Sequence, residues 1–269
     1  MTTQKFRALV WKHYRLHGRH DLPWRKTKDP YRILVSEIML QQTQVERVLP
    51  YYERFLKKFP TVQKLARASL GEVLLLWQGL GYNRRAKMLH AAAKVVVSEY
   101  KGKFPQSILE LERLPGVGHY TAHAVAAFAY NADGIFIETN IRTVVTHHFF
   151  PDKKIVHDSE VLAVLAEAFP KGRAREWYAA LMDYGAFLKR SGVRINKKAK
   201  GYTKQTPFKG SDREARGALL RALAQGSCTR TKLLQVLGAD RKKQTEEQLT
   251  VLLKEGLVAR QGARYTLPP

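Results

Sequence analysis

Two groups of residues in this chain have types and spacings that could do chemistry. The first is Leu114-Pro115-Gly116-Val117-Gly118-His119-Tyr120-Thr121-Ala122, followed about twenty residues later by Glu138-Thr139-Asn140-Ile141-Arg142. Gly116 and Gly118 allow positive φ and a close approach of the backbone to a ligand. The N–H groups of Val117, Gly118 and His119 would then converge on a phosphate at the start of a helix. Carbonyls of the same turn, near Leu114 and Val117, could hold a monovalent cation that bridges to that phosphate. By itself such a hairpin points to binding of a DNA backbone. The Glu138 carboxylate, arriving where the helix has ended, could act on the nucleotide so held.

The second group is Ser36-Glu37-Ile38-Met39-Leu40-Gln41-Gln42-Thr43-Gln44-Val45. Glu37 stands beside Ile38 and Met39 on a helix otherwise set to be buried. A carboxylate there is costly unless paired, and burial raises its pKa. A raised carboxyl pKa suits a general acid that protonates a leaving group. A helix-capping or core-paired glutamate is the structural alternative. The amides of Gln41 and Gln42 can take over the edges of an unpaired base.

The elements that must position these groups are helical. From Thr3 to about Leu188 apolar residues recur at three- and four-residue steps, as in Ile33-Leu34-Ile38-Met39, Val48-Tyr52-Phe55-Leu56, Val73-Leu76-Trp77-Leu80 and Ala122-Val125-Ala126-Ala129. Pro30, Pro60, Pro105, Pro115 and Pro170 punctuate the pattern, ending one helix or occupying the first turn of the next. The fold class is therefore all-α, a globule of short helices occupying residues 1–188.

Residues 189–210 change character. Lys189, Arg190, Arg194, Lys197, Lys198, Lys200, Lys204 and Lys209 lie among Gly, Thr and Gln, which reads as a basic linker able to lie along phosphates, or as a merely solvated segment. Residues 211–269 carry helical patterns over 213–224, 229–237 and 244–255, the second begun by Ser227 or Thr229 as a cap. A short hairpin follows, with 257–260 and 264–267 joined through Gln261-Gly262. Three helices and a terminal hairpin form the winged-helix order, whose third helix would here follow Arg241-Lys242-Lys243. The module binds DNA or, alternatively, a protein.

Charge narrows the partner. Forty-seven Lys+Arg against 23 Asp+Glu give a net charge of +24, which concentrates polyanions around the protein and favours nucleic acid. An anionic membrane is the alternative, disfavoured because no apolar run reaches the roughly 18 residues needed to span a bilayer. The first residues lack the apolar core of a signal peptide. The single cysteine, Cys228, excludes internal disulfides, fits a reducing compartment and excludes a cysteine-held cluster or zinc finger. The expected setting is the cytoplasm, in association with the nucleoid, and the expected state is a monomer.

Leu22-Pro23-Trp24-Arg25, the 36–45 block, Gly79-Leu80-Gly81-Tyr82 and the 114–122 block occur in one order with a family-like spacing. Over residues 5–188 the protein resembles the helix–hairpin–helix DNA glycosylases and, within them, the MutY-type adenine glycosylases. The resemblance implies a two-lobed helical fold with DNA across its cleft, a target nucleotide flipped out of the stack, and hydrolysis of its N-glycosidic bond. Position by position it implies that Glu37 protonates the departing purine at N7. Tyr120 and Asn140 line the sugar side, and Trp24, Arg25 and Leu40 border the flipped base. Gln42, Thr43, Leu80 and Tyr82 serve the opposite strand, with Tyr82 as an aromatic wedge. Bifunctional relatives carry a lysine where this protein has Tyr120, and tyrosine forms no Schiff base, so hydrolysis without strand cleavage is implied.

The sequence departs from the family pattern at three places. The family holds a four-iron cluster on four cysteines after the helix ending near Leu188, and no cysteine stands there. The usual C-terminal domain that inspects 8-oxoguanine is replaced by the winged-helix pattern. Glu138 stands where the family has an aspartate facing the anomeric carbon, which stabilises an oxocarbenium-like state much as in glycosidases. The extra methylene moves the carboxylate oxygens by about an ångström, and a misplacement of ~1 Å can cost on the order of 100-fold in rate. Asp133, in the Asn131-Ala132-Asp133-Gly134 turn, reads as structural. The sequence thus indicates a cofactor-independent, monofunctional glycosylase acting on double-stranded DNA with a mismatch or oxidative lesion, removing adenine opposite 8-oxoguanine or guanine. The alternatives are a thymine or uracil mismatch glycosylase, and a protein that senses lesions without cutting.

Overall fold

The computed structural model describes residues 1–193, 195 and 207–269. In order along the sequence its helices are α1 (Thr3–His17), α2 (Pro30–Leu40), α3 (Val45–Lys58), α4 (Val62–Arg67), α5 (Leu70–Trp77), α6 (Arg84–Ser98), α7 (Ile108–Glu112), α8 (His119–Tyr130), α9 (Thr139–Phe149), α10 (Asp158–Ala168), α11 (Ala174–Arg190), α12 (Asp212–Ala224), α13 (Arg230–Leu234) and α14 (Lys242–Lys254). Three short strands, β1 (Cys228–Thr229), β2 (Ala259–Gln261) and β3 (Arg264–Thr266), lie near the C-terminal end. No described helix is long and apolar enough to cross a membrane. The all-α expectation holds, and local rules explain several helix starts. Thr2, Thr61, Ser69, Ser211 and Thr229 cap their helices with side-chain oxygens, and Ser69 forms a reciprocal capping box with Glu72.

The protein divides into two compact units. The first contains residues 1–34, 105–112 and the stretch from Val117 through α11. Its core is aromatic, with Phe6, Phe136, Trp177 and Tyr178 fully enclosed, and α11 runs through it against α1, α8 and α9. Alanine dominates α8, where Ala122, Ala124, Ala126 and Ala127 are buried, so neighbouring helices approach its backbone closely. Asn131 ends α8 in the left-handed conformation (φ 56°), and its side chain ties the turn to Gly172 and Arg175. Asp133 accepts from the N–H of Gly172 at 3.0 Å, a structural duty as the sequence suggested.

The second unit contains residues 35–104, 113–116 and α12 onward. Its C-terminal portion is three helices and an antiparallel sheet of order β1-β3-β2, with Cys228 opposite Tyr265 and Ala259 opposite Thr266. The strand β1 has no counterpart in the sequence reading, because two residues carry no alternation to detect. The helix expected over 229–237 is shorter, ending at Leu234, since Gly238 sits at φ 84° and a separate turn of helix precedes α14. This portion packs on α5 and α6. Gly71 donates its N–H to Pro268 O at 2.9 Å, Gln78 Nε2 donates to Leu220 O at 3.3 Å, and Lys87 Nζ reaches Glu255 O.

Two local expectations change. Periodicity groups Leu80 with the α5 stripe, but α5 ends at Trp77 and Leu80 lies in the turn after it, where Gly79 and Gly81 take positive φ. Composition starts the basic linker at Lys189, but α11 continues through Arg190 because Leu188 still packs into the core. Arg194, Lys197, Lys198, Lys200 and Lys204 lie outside the described residues.

Candidate active site and nucleic-acid interface

The hairpin residues occupy the expected places with one change of reason. Leu114 and Val117 are buried anchors, whereas Gly116, Gly118 and His119 are exposed. Gly116 takes φ 76°, and a Cβ there would fall 2.4 Å from Cβ of Met88 on α6. Gly118 does not use positive φ. It is the N-cap of α8 at φ −89°, ψ 177°, a conformation open to any residue. A Cβ on it would meet nothing within 4 Å, so what glycine provides there is open space above the N-terminus of α8.

Glu138 is the N-cap of α9. Its Oε2 accepts from the N–H of Asn140 at 2.6 Å, and its Oε1 accepts from Asn140 Nδ2 at 3.1 Å. Aspartate and serine are the usual caps; the longer glutamate reaches the same N–H groups by folding back over its own helix. Glu138 keeps partial exposure as a residue, but enclosure of the carboxyl raises its pKa. The Lys189 ammonium and the N–H groups of Asn140 and Ile141 oppose that rise. Lys189 is correspondingly lowered by burial and raised by Glu138, and its Nζ donates to Asn140 Oδ1 at 2.7 Å. The cluster is an enclosed carboxylate and a cation at the positive end of a helix. Gly185 makes it possible. A Cβ on Gly185 would lie 2.2 Å from Asn140 O, so α11 and α9 touch backbone to backbone. In the sequence Lys189 reads as linker, and Gly185 carries only the weak signal of a glycine inside a helix.

In the same unit Tyr120 stands in the first turn of α8, its ring 5.8 Å from that of Phe136, two residues before Glu138. Trp24 is buried in a short turn of helix. Arg25 is drawn to Asp183, which is 2 % exposed. Asp183 receives the N–H and guanidinium of Arg19 at 2.7–2.8 Å and the Arg25 guanidinium at 3.4 Å. The Arg25 guanidinium also lies 5.6 Å from the Phe128 ring centroid.

The second unit holds Glu37, 6 % exposed on α2 among Val35, Ser36, Ile38 and Met39. The turn after α2 is organised by Arg85, which the sequence reading missed. Its Nη1 donates to the carbonyls of Ile38 and Met39 at 2.9 Å and of Gln41 at 2.5 Å. Its Nη2 donates to Thr43 Oγ1 at 3.2 Å and to Gly81 O at 3.1 Å. One guanidinium therefore satisfies both the carbonyls at the end of α2 and the Gly79–Tyr82 turn. Burial brings its pKa down to about 10, so it stays charged.

Arg85 holds two left-handed residues in place. Gln42 takes φ 56° and Tyr82 φ 48°, conformations that cost a non-glycine residue of order 1–3 kcal/mol and that cluster at functional sites. Both are residues expected to meet DNA. Gln42 is exposed, Leu40, Gln41, Thr43 and Tyr82 are half-buried, and Leu80 is buried at 4 %, offering its carbonyl rather than its side chain to the turn. The Tyr82 hydroxyl accepts from Arg213 Nη1 at 3.1 Å, with that guanidinium 5.8 Å from the ring centroid. Beside them opens a cleft of about 390 Å³ lined by Gln41, Asn83, Met88, Gly116, Arg213 and Arg216, among others. A residue of α12 thus braces the expected wedge, a partnership that nothing in the sequence marked.

The family's iron–sulfur cluster needs four cysteines, and this sequence has one. The one cysteine, Cys228, is buried on β1, with Sγ near the carbonyls of Ala222 and Gly226.

Comparison with known proteins identifies the family. The family model of the HhH-GPD superfamily base excision DNA repair proteins matches residues 35–171. The adenine DNA glycosylase of Mycolicibacterium smegmatis is 38 % identical over 262 residues, covering 90 % of this chain and 89 % of that relative. A solved structure of a thermostable thymine-DNA glycosylase superposes with a TM-score of 0.60 at 26 % identity, over 68 % of this chain and 86 % of that one. A trapped endonuclease III–DNA covalent intermediate superposes at 0.57 and 21 % identity, over 77 % and 91 %, which speaks for the fold. The protein belongs to the HhH-GPD superfamily of base excision DNA repair proteins.

Proposed function

We propose that this protein is a monofunctional DNA glycosylase that hydrolyses the N-glycosidic bond of a mispaired adenine flipped out of a duplex, opposite 8-oxoguanine or guanine. The observation that carries the reading is the Glu138–Asn140–Lys189 cluster, an enclosed carboxylate whose pKa is raised by burial, a rise that a neighbouring ammonium and a helix N-terminus oppose. Similarity to the adenine glycosylase of Mycolicibacterium smegmatis supports adenine as the base.

Glu37 donates a proton to N7 of the purine as the C1′–N9 bond breaks and its electron pair leaves with the base. Positive charge then develops on the sugar, and the Glu138 carboxylate stabilises it. Water adds to C1′, and an apurinic site remains. Tyr120 and Asn140 line the sugar side. Tyr120 carries no amine, so no Schiff base forms and the strand stays intact.

Trp24, Arg25 and Leu40 border the base. Gln41, Gln42, Thr43, Leu80 and Tyr82 meet the opposite strand, with Tyr82 filling the gap in the stack. The N–H groups of Val117, Gly118 and His119 hold a backbone phosphate beside Gly116. Carbonyls near Leu114 and Val117 would seat a monovalent cation that offsets the phosphate charge. Functionally the protein divides into a glycosylase portion (1–188), a basic connection (189–210) and a DNA-binding winged helix (211–269). It acts as a monomer on double-stranded DNA carrying a mismatch or oxidative lesion.

The second reading, a thymine or uracil mismatch glycosylase, is favoured by the likeness to the thymine-DNA glycosylase structure. One assay separates them. Duplexes with adenine opposite 8-oxoguanine or guanine, and with thymine or uracil opposite guanine, are incubated with the protein and resolved with and without alkali. Alkali-dependent cleavage at adenine is expected. Cleavage confined to pyrimidines would select the second reading, and cleavage before alkali would defeat the assignment of Tyr120. Glu37→Gln is expected to abolish turnover and retain binding; unchanged turnover would remove Glu37 from its role.

A further inference from the structure

The N-terminal half of α8 presents two imidazoles on one face, because His119 and His123 are four residues apart. Glu112, in the last turn of α7, places Oε1 2.8 Å from Nδ1 of His119. The three residues each offer one ligand atom, and these atoms lie within 4.8 Å of one another. We infer that Glu112, His119 and His123 form a side-chain site for a divalent transition-metal ion of the zinc class, which clips α7 to α8. The reading stands apart from the glycosylase assignment. It also differs from a monovalent cation on hairpin carbonyls, since every ligand is a side chain.

His123 is set up as a ligand. Its Nδ1 lies 2.9 Å from the carbonyl of His119. A carbonyl only accepts, so Nδ1 carries the proton and Nε2 keeps its lone pair, as metal-binding histidines are commonly fixed from behind. The ring is confined by Phe136, 5.9 Å away between centroids, and by the backbone of Gly134, where a Cβ would approach Cδ2 to 3.1 Å.

Bonds of about 2.0–2.1 Å in a tetrahedral site set donor atoms roughly 3.3 Å apart, so a cluster spread over up to 4.8 Å must contract by up to about 1.5 Å. The His119 side chain, 72 % exposed, is free to make that adjustment. A metal would take the place of the present contact between His119 Nδ1 and Glu112 Oε1. Two imidazoles and one carboxylate suit zinc, cobalt or nickel better than magnesium or calcium. Three protein ligands leave the fourth position to water.

The test uses the whole 269-residue chain after treatment with a chelator. Cobalt(II) should bind at one equivalent with the visible absorption of a four-coordinate ion, and zinc should displace it and raise the thermal midpoint. His119→Asn and His123→Asn should each weaken cobalt binding about tenfold or more and remove the thermal shift. His17→Asn should leave both unchanged, although it alters another histidine pair four residues apart, His13 and His17. Because His119 is exposed, its replacement keeps the fold even if that of His123 does not. Absence of a one-equivalent cobalt site at micromolar metal, or a site that survives His119→Asn, would overturn the inference.

Discussion

Lys189 donates a 2.7 Å hydrogen bond to Oδ1 of Asn140, and the same amide turns Nδ2 toward Oε1 of Glu138 at 3.1 Å. The cation therefore acts on the carboxylate both through an intervening side chain and through its charge. Enclosure alone would drive Glu138 toward its neutral form, and a neutral carboxyl does little for a developing oxocarbenium ion. Lys189 and the α9 N-terminus push the other way. Burial of Lys189 is tolerable for the reciprocal reason.

Lys189→Met removes a cause that lowers the Glu138 pKa, so the carboxyl should titrate at higher pH. The acid limb of the pH–rate profile for single-turnover base release is expected to move upward. Each unit of movement costs about tenfold in rate on that limb. Lys189→Arg keeps the charge and should fall between the two. An acid limb that stays in place in Lys189→Met would uncouple the two residues.

Gly185→Ala places a Cβ 2.2 Å from the carbonyl oxygen of Asn140, so α9 must move away from α11. A loss of about 1–3 kcal/mol in urea unfolding is expected, together with slower base release. Gly217→Ala on α12 is the control, since the nearest atom there is the flexible end of Arg221 at 3.5 Å. It should be neutral or gain up to ~1 kcal/mol from helix propensity. Equal stabilities for the two variants would contradict the close contact.

Arg85→Lys keeps the charge but loses the planar fork that reaches several acceptors at once. Unsatisfied carbonyls cost about 1–3 kcal/mol each when buried, so a loss of roughly 2 kcal/mol or more is expected in urea unfolding. Hydrogen exchange at Gln42 and Tyr82 should quicken as their turns loosen. Unchanged stability would show that water replaces the guanidinium.

Tyr82 and Arg213 should behave as a unit toward DNA. Tyr82→Leu, Arg213→Ala and the double variant form a cycle read by affinity for a mismatched duplex at fixed salt. A coupling of about 0.5–3 kcal/mol is expected for residues in direct contact. Strict additivity would mean that Arg213 contributes only its charge.

The sequence by itself determined the features that depend on neighbours within a turn or two of the backbone. Helical periodicity marked α2 as buried, and Glu37 is indeed buried on it. The Gly-x-Gly pattern located the hairpin, and Thr229 is the cap of α13 that the sequence offered. Composition added a polyanion-seeking surface without cysteine ligands.

Only the tertiary structure decided how those pieces are held. Arg85 reaches carbonyls 44–47 positions earlier in the sequence, and Arg213 reaches Tyr82 across 131. A carbonyl group is the same in every residue, so its distant donor leaves no mark where it sits. Lys189 looks like one of many linker lysines until α11 extends far enough to bring it to Asn140, and Gly185 is intelligible only with α9 against it. Side-chain periodicity reports which face is buried. Which group meets which across the core is set by the path of the backbone in space.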